Sequence, residues 1–283
     1  MPGCQHTQVY ALQRVSARIA LAAVLAVLPA LPLHAQGTLD AARQLYNQGR
    51  FDQAIAAASR LRSTTASDGA NLVLGRSYLE RFRKTSDDGD LVAAREALRE
   101  VRPAPLSLGD RTDYLMGLGE LLYLQESFGP AVEMFRKALD SGHDLGPGAS
   151  ERVFDWWATS LDRQAQAGAA DNRRAVYSTI RDRAQLEVGQ KPLSAAASYW
   201  LAVSHRYLGD LTKALDAAVA GWITAPFGEE RGRVLRADLD QLVLEAIIPE
   251  RVRALASTDV ERERVEASLR AVWEGVKRDW PNR

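Results

Sequence analysis

Apolar residues recur three and four positions apart along almost the whole chain beyond Thr38, and strict apolar–polar alternation is almost absent. This spacing puts apolar side chains on one face of a helix, and most of the residues between them are good helix formers. The pattern therefore predicts an all-α protein. The segments around Phe82 and Gly168 are more polar, and we interpret them as loops.

Three segments repeat the same order of bulky, small and aromatic residues: ARQLYNQGRFDQAIAAASRL, LGELLYLQESFGPAVEMFRKAL and LAVSHRYLGDLTKALDAAVAGWITAP. Small residues at Gly119 or Ala202 on the first helix, and at Ala54, Ala131 or Ala214 on the second, would let two antiparallel helices approach closely. Bulky neighbours would then fill the groove between one pair and the next. The segments predict a stack of helix pairs.

The three segments resemble the tetratricopeptide repeat, whose pattern places a small residue on each of two helices and a proline near the end. Two weaker units lie between them, with extra residues within RFRKTSDDGD and QAQAGAADN. The resemblance implies a right-handed superhelix of about five helix pairs, and we assign residues 36–227 to this repeat domain. It also implies that the first helices of the pairs line a concave groove.

The last part of the chain, residues 228–283, is predicted to form capping helices. A repeat stack needs a terminal unit with one polar face to cover its last apolar surface. One apolar stripe should end at Pro249, and a last helix should open at Asp259. A helix that docks on a partner protein is the alternative, and Trp273 and Trp280 are expected to be exposed, as a cap or a dimer contact.

Residues 1–35 have the layout of a secretory signal peptide. They contain no Asp or Glu, and Arg14 and Arg18 precede the apolar run IALAAVLAVL, which is followed by two prolines and Ala35. The apolar run is too short to span a bilayer comfortably, although an uncleaved anchor is the alternative. We expect a protein that is periplasmic or secreted, in a bacterial envelope.

Composition excludes several classes of protein. Thirty-six basic residues balance 36 acidic ones, whereas nucleic-acid-binding proteins usually carry a basic excess. The single cysteine, Cys4, lies in the predicted signal peptide, so the remaining chain has no thiol and suits an oxidising compartment.

Motifs of catalysis, metal binding and phosphate binding are missing from the sequence. It contains no GxGxxG, GxxxxGKS/T or GxSxG, and its histidines form no HxxxH or HExxH pattern. His143 is expected in a solvated turn and His205 in the core. Asp90 is expected to cap a helix rather than to bind calcium. We predict no catalytic residue, no metal site and no cofactor.

The register of the repeats predicts which side chains face the groove. The set mixes four tyrosines with charges of both signs, and tyrosine is favoured at interfaces for its flat ring and its hydroxyl group. The candidate binding residues are Arg43, Tyr46, Asn47, Arg76, Glu80, Glu120, Tyr123, Asp155, Thr159, Asp162, Arg163, Tyr199, Arg206 and Tyr207.

Such a groove would suit an extended peptide or a partner helix. We therefore expect a non-catalytic scaffold or adaptor that binds a protein or peptide partner. The alternative is a component that captures a solute or glycan for an envelope transport or wall system, with a pocket walled by the extra residues at 81–89 and 164–172.

Overall fold

The computed structural model of the protein describes residues 38–143, 145–166 and 168–281. The predicted signal peptide over residues 1–35 lies outside the described residues. The helices are α1 (Leu39–Asn47), α2 (Phe51–Ser59), α3 (Ser67–Thr85), α4 (Asp88–Arg99), α5 (Leu108–Leu124), α6 (Phe128–Leu139), α7 (Pro147–Gln166), α8 (Ala170–Gln190), α9 (Ala195–Tyr207), α10 (Leu211–Thr224), α11 (Glu229–Leu242), α12 (Ile248–Leu255) and α13 (Asp259–Asp279).

Consecutive helices pack as pairs, from α1 with α2 to α9 with α10. The first helices of successive pairs, α1, α3, α5, α7 and α9, also lie beside one another, and we call the surface they form the inner face. Over the described ranges the chain contains helices and turns and no strand. The all-α prediction is therefore confirmed.

Local chemistry starts several of these helices. Hydroxyl or carboxylate oxygens accept a backbone N–H of the first turn, which satisfies one of the donors that a helix start leaves without a partner. The caps of this kind are Thr38, Asp87, Ser107, Ser194, Asp210 and Thr258. Asp90 is not a cap, contrary to the prediction, because α4 begins earlier, at Asp88, and Asp90 pairs with Arg81 instead.

Four of the turns within pairs use a residue in the left-handed backbone region. Gly49 and Gly209 have φ of 70° and 87°, and Ser86 and Glu126 occupy the corresponding turns with φ of 56° and 57°. Glycine adopts this region without a steric penalty, whereas other residues rarely do. The turn geometry therefore persists in the second and third pairs although these side chains are unfavourable there.

Close helix contact depends on the small residues that the repeat pattern singled out. A Cβ atom added at Gly119 would lie 2.6 Å from two ring carbons of Phe135, which is fully buried on α6. Ala131 and Ala54 are also fully buried. Helices α5 and α6 can approach as they do only because position 119 carries no side chain.

Replacing Gly119 by alanine is expected to lower the free energy of unfolding by about 1–2 kcal/mol. Overpacking a core costs roughly 1–3 kcal/mol, and the better helix propensity of alanine offsets only part of this. The matched control is Gly189→Ala on α8, where no described atom lies within 4 Å of the added Cβ. Urea unfolding should leave this control within about 1 kcal/mol of the wild type, and equal stability of the two variants would contradict the packing argument.

The two segments with extra residues differ in structure. Helix α3 continues through Phe82 to Thr85, so the interpretation of the segment around Phe82 as a loop is wrong. Gly168 lies outside the helices, between the end of α7 at Gln166 and the start of α8 at Ala170, as predicted for a loop. The longer end of α3 carries Arg81 and Arg83 beyond the length of an ordinary repeat helix.

From Glu229 to Asp279, the chain adds a further pair of helices to the end of the stack. Helices α11 and α12 join through a π-helical turn, Val243–Ile247, and α13 packs back against α12. The helix does not end at Pro249 as predicted, because the wider turn just before it accommodates a residue that has no backbone N–H. Trp273 is fully buried, so its predicted exposure is wrong, whereas Trp280 is 52% exposed.

Within the described ranges, none of the helices combines the length and the apolar character needed to cross a bilayer.

Candidate functional site

A cleft of about 380 Å³ opens on the inner face where α1, α3, α5 and the start of α7 meet. Apolar and charged side chains share its walls, and a cleft of this size is typical of small-ligand or side-chain pockets. The lining residues are Tyr46, Asn47, Phe51, Arg76, Glu80, Asp113, Met116, His143, Leu145, Ala149 and Arg152.

Tyr46 and Arg76 form one wall of the cleft. The Arg76 guanidinium lies over the Tyr46 ring at 4.8 Å from its centroid and donates to Asp113. Burial raises the pKa of the Tyr46 hydroxyl to about 12, although the Arg76 charge acts in the opposite direction. Tyr46 therefore remains a neutral hydrogen-bonding group throughout the physiological pH range.

Beside the cleft lies what we call the inner cluster, which consists of Glu80, Arg83, Glu120, Arg152 and Trp156; Glu80 and Arg152 also line the cleft. Glu80 accepts from Arg83 at 3.0 Å and from Arg152 at 3.3 Å. Both guanidinium groups also lie over the Trp156 ring, at 5.2 and 5.6 Å from its centroid. A carboxylate and an aromatic face, from α3 and α7, thus hold two arginines together.

Glu120 on α5 is the buried member of the inner cluster, with only 4% of its surface exposed. Burial, followed by the negative charge of Glu80, raises the pKa of its carboxyl group to about 7. Its Oε1 atom lies 3.9 Å from an Arg83 nitrogen, and it has no hydrogen-bond partner among the described residues. A buried carboxyl oxygen without such a partner is unusual in a native protein.

Tyr123 borders the inner cluster. Its ring stacks on Trp156 with 6.3 Å between centroids and an angle of 27° between planes, and Phe128 packs against its edge. Trp156 in turn contacts the buried ring of Phe135. The aromatic side of the cluster is therefore anchored in the core of the third pair.

The remaining predicted residues of the first pair lie near the cleft. Arg43 pairs with Asp110 at 2.7 Å and with Asp40 at 3.3 Å, and Asn47 is exposed at the mouth of the cleft. Seven of the fourteen candidates thus gather on or beside the walls formed by α1, α3 and α5. They are Arg43, Tyr46, Asn47, Arg76, Glu80, Glu120 and Tyr123.

Candidates from α7 and α9 mostly make contacts within the protein. Asp155 is buried and accepts from the Trp200 indole at 3.0 Å, while Asp162 accepts from the Tyr177 hydroxyl at 2.6 Å. Tyr207 stacks on Tyr177, with 3.9 Å between ring centroids. These side chains join neighbouring helices.

Arg206 binds Glu250 of α12 at 2.6 Å, so the end of α9 meets the C-terminal helices. Tyr199 is half-buried and packs against the core, Thr159 is half-buried, and Arg163 is exposed. The structure does not bring the α9 candidates to the cleft.

Sequence reasoning missed Arg83, Asp113, Arg152 and Trp156. Arg83 lies in the stretch interpreted as a loop, and Arg152 lies on the first turns of α7. Of these residues, only Trp156 carries a signal in the sequence: it adjoins Trp157, and two adjacent tryptophans cannot share one helix face. Trp157 is the buried one of the two.

His205 is buried, and burial lowers the pKa of its imidazole. Among the described residues, no three His, Asp or Glu side chains are grouped so that they could hold a metal ion. The arrangement on the inner face can therefore offer charge-assisted hydrogen bonds, aromatic stacking and a shaped cleft.

Residues 39–107 match the family model of the tetratricopeptide repeat. This range spans the first two helix pairs and reaches the start of α5. A comparison with curated proteins gives no match.

Proposed function

Since this chain is a tetratricopeptide repeat protein, we propose that it is a non-catalytic scaffold that binds a protein or peptide segment on its inner face. The observation that carries the proposal is the cleft between α1, α3, α5 and α7, with the inner cluster beside it. Rigid helices support these side chains, so binding would order little of the protein and its entropic cost would fall on the partner.

The composition of the site supports a peptide segment as the partner rather than the flat surface of another protein. Half-buried aromatic rings at Tyr46, Tyr123 and Trp156 alternate with arginine and glutamate side chains along four neighbouring helices, α1, α3, α5 and α7. An extended segment could place apolar side chains in the cleft and polar ones along its rim.

We expect a tryptophan at the mouth of the cleft to block binding. Asn47 is exposed and lines the cleft, so Asn47→Trp fills the entrance without disturbing the core. Gln44→Trp, on an exposed position of the same helix that does not line the cleft, is the matched control. A partner captured from native envelope extract should bind Asn47→Trp at least about tenfold more weakly, a loss of about 1.4 kcal/mol.

The two variants should melt at the same temperature, which separates a blocked cleft from a damaged fold. Equal capture by the wild type and by both variants would reject the inner face as the binding surface. A glycan or small solute that stabilises the wild type and not Asn47→Trp would replace the protein partner with that ligand.

We further propose that the protein works outside the cytoplasm of a bacterium. Residues 1–35 support this, because Arg14 and Arg18, a short apolar run and Ala35 stand in the order of a cleavable leader. N-terminal sequencing of the full chain expressed in a bacterium with a periplasm should find a start near Gln36 in the periplasmic fraction. A cytoplasmic product that begins at Met1 would overturn this part of the proposal.

A further inference from the structure

The open hydrogen-bonding position in the inner cluster belongs to Glu120. Its side chain is more than nine-tenths buried, and within the described part of the chain its Oε1 atom accepts no hydrogen bond. Leaving a buried acceptor without a hydrogen bond is unfavourable, because the acceptor has lost its water and gained nothing in exchange. A ligand that binds on the inner face could supply the hydrogen-bond donor that this oxygen lacks.

The charges around Glu120 determine which kind of donor would fit. Each arginine of the site already has a closer carboxylate: Arg76 pairs with Asp113, and both Arg83 and Arg152 pair with Glu80 at 3.0 and 3.3 Å. An added anion would meet the negative charges of these carboxylates, although the buried Nε of Arg76 has no acceptor among the described residues. An added cation would instead meet a carboxyl group whose nearest positive atom is 3.9 Å away.

The aromatic side of the inner cluster also favours a cation. Trp156 already carries two guanidinium groups over its ring, and Tyr123 stacks beside it. Aromatic faces attract positive charge, most strongly when the charge is partly removed from water. Arg83 has 35% of its side chain exposed, so a change of rotamer could free the space next to Glu120.

We propose that the inner face recognises a peptide segment through a lysine or arginine side chain that pairs with Glu120. This inference rests on the proposed function, and it specifies the chemistry of the partner at one position. The basic group would donate to Oε1, and the rest of the segment would run along the neighbouring cleft.

Recognition of this kind is coupled to pH, because a cation pairs with the ionised carboxyl group. The groups that face Glu120 are Tyr46 from α1, Arg76, Glu80 and Arg83 from α3, and Arg152 from α7. With the carboxyl pKa near 7, the ionised fraction rises about tenfold from pH 6 to pH 8. The affinity for a basic segment should rise by the same factor.

The test is a selection of displayed random 12-residue peptides on the purified protein at pH 8, with the selected peptides then synthesised and titrated. We expect Lys or Arg at one recurring position, and replacing it by glutamine should weaken binding to the wild type at least about tenfold. The same replacement should have little effect on binding to Glu120→Gln, because the pair is already broken. Glu133→Gln, on the exposed surface of α6, should behave as the wild type.

Each outcome decides between the two proposals. Selected peptides that lose binding to Asn47→Trp but show no basic position, or that are acidic, would overturn this inference and leave the scaffold function standing. Peptides that bind without regard to Asn47→Trp would reject the inner-face function itself. Basic peptides whose affinity does not change between pH 6 and pH 8, and that bind Glu120→Gln equally well, would also reject the pairing with Glu120.

Discussion

Replacing Trp273 by alanine is expected to lower the free energy of unfolding by about 3–5 kcal/mol. The side chain is fully buried between α13 and the end of the repeat stack, and its ring meets Trp222 edge to face with 5.4 Å between centroids. Its indole nitrogen donates to Asp240 at 2.7 Å. The substitution removes the largest buried side chain of the C-terminal pair, and losses of this size are typical of deleting a buried tryptophan.

The matched control is Trp280→Ala, seven residues later, where 52% of the side chain is exposed. Its contact with Trp222 runs through the backbone carbonyl oxygen, which the substitution keeps. Chemical denaturation should give a change below about 1 kcal/mol for this variant. Similar losses for both variants, or none for Trp273→Ala, would show that α13 does not cover the stack in solution.

Glu120 is expected to make the protein less stable as pH rises from about 4.5 to about 7. Its carboxyl group holds a proton more tightly in the folded state, where the pKa is about 7, than in the unfolded chain, where it is near 4.5. The folded state therefore binds more protons within this window, and the free energy of unfolding falls as the proton is lost. This difference between the two pKa values corresponds to a decrease of at most about 3 kcal/mol in the free energy of unfolding.

Glu120→Gln isolates this contribution, because glutamine resembles the protonated carboxyl group. The variant should match the wild type near pH 4 and be more stable by up to about 3 kcal/mol at pH 8. The control is Glu133→Gln. The Glu133 carboxyl group pairs with Arg136, which holds its pKa below the ordinary value. Above pH 5, the free energy of unfolding of this variant should therefore vary with pH in parallel with that of the wild type. Parallel curves for the wild type and Glu120→Gln would mean that the carboxyl group is ionised in the folded state at neutral pH.

The helices and their pairing could be predicted from local patterns. The periodicity of apolar residues acts within one helix, and the small residue at Gly119 marks a contact between two helices that follow each other in the chain. Both features repeat, so the same inference can be made several times along the sequence. The match of residues 39–107 to the tetratricopeptide repeat confirms this reasoning.

The pattern failed where one local feature had two structural solutions. A polar insertion can form a loop or lengthen a helix, and around Phe82 the chain lengthens α3. A proline can end a helix or be accommodated by a wider turn, and at Pro249 the π-helical turn before it lets the helix continue. Packing against neighbouring helices decides between such solutions, and the sequence alone does not reveal those neighbours.

Sequence by itself determined that this chain forms helices, that they repeat, and that residues such as Tyr46, Glu80 and Glu120 belong to one face. Only the tertiary structure decided which of those residues meet. Glu80, Arg83 and Arg152 come together from α3 and α7, although Arg83 and Arg152 are 69 residues apart in the chain. Glu120 is buried on α5, which packs against both of these helices. Burial and charge environment arise from contacts between distant segments, so the pKa of Glu120 and its open hydrogen-bonding position could not be inferred from periodicity.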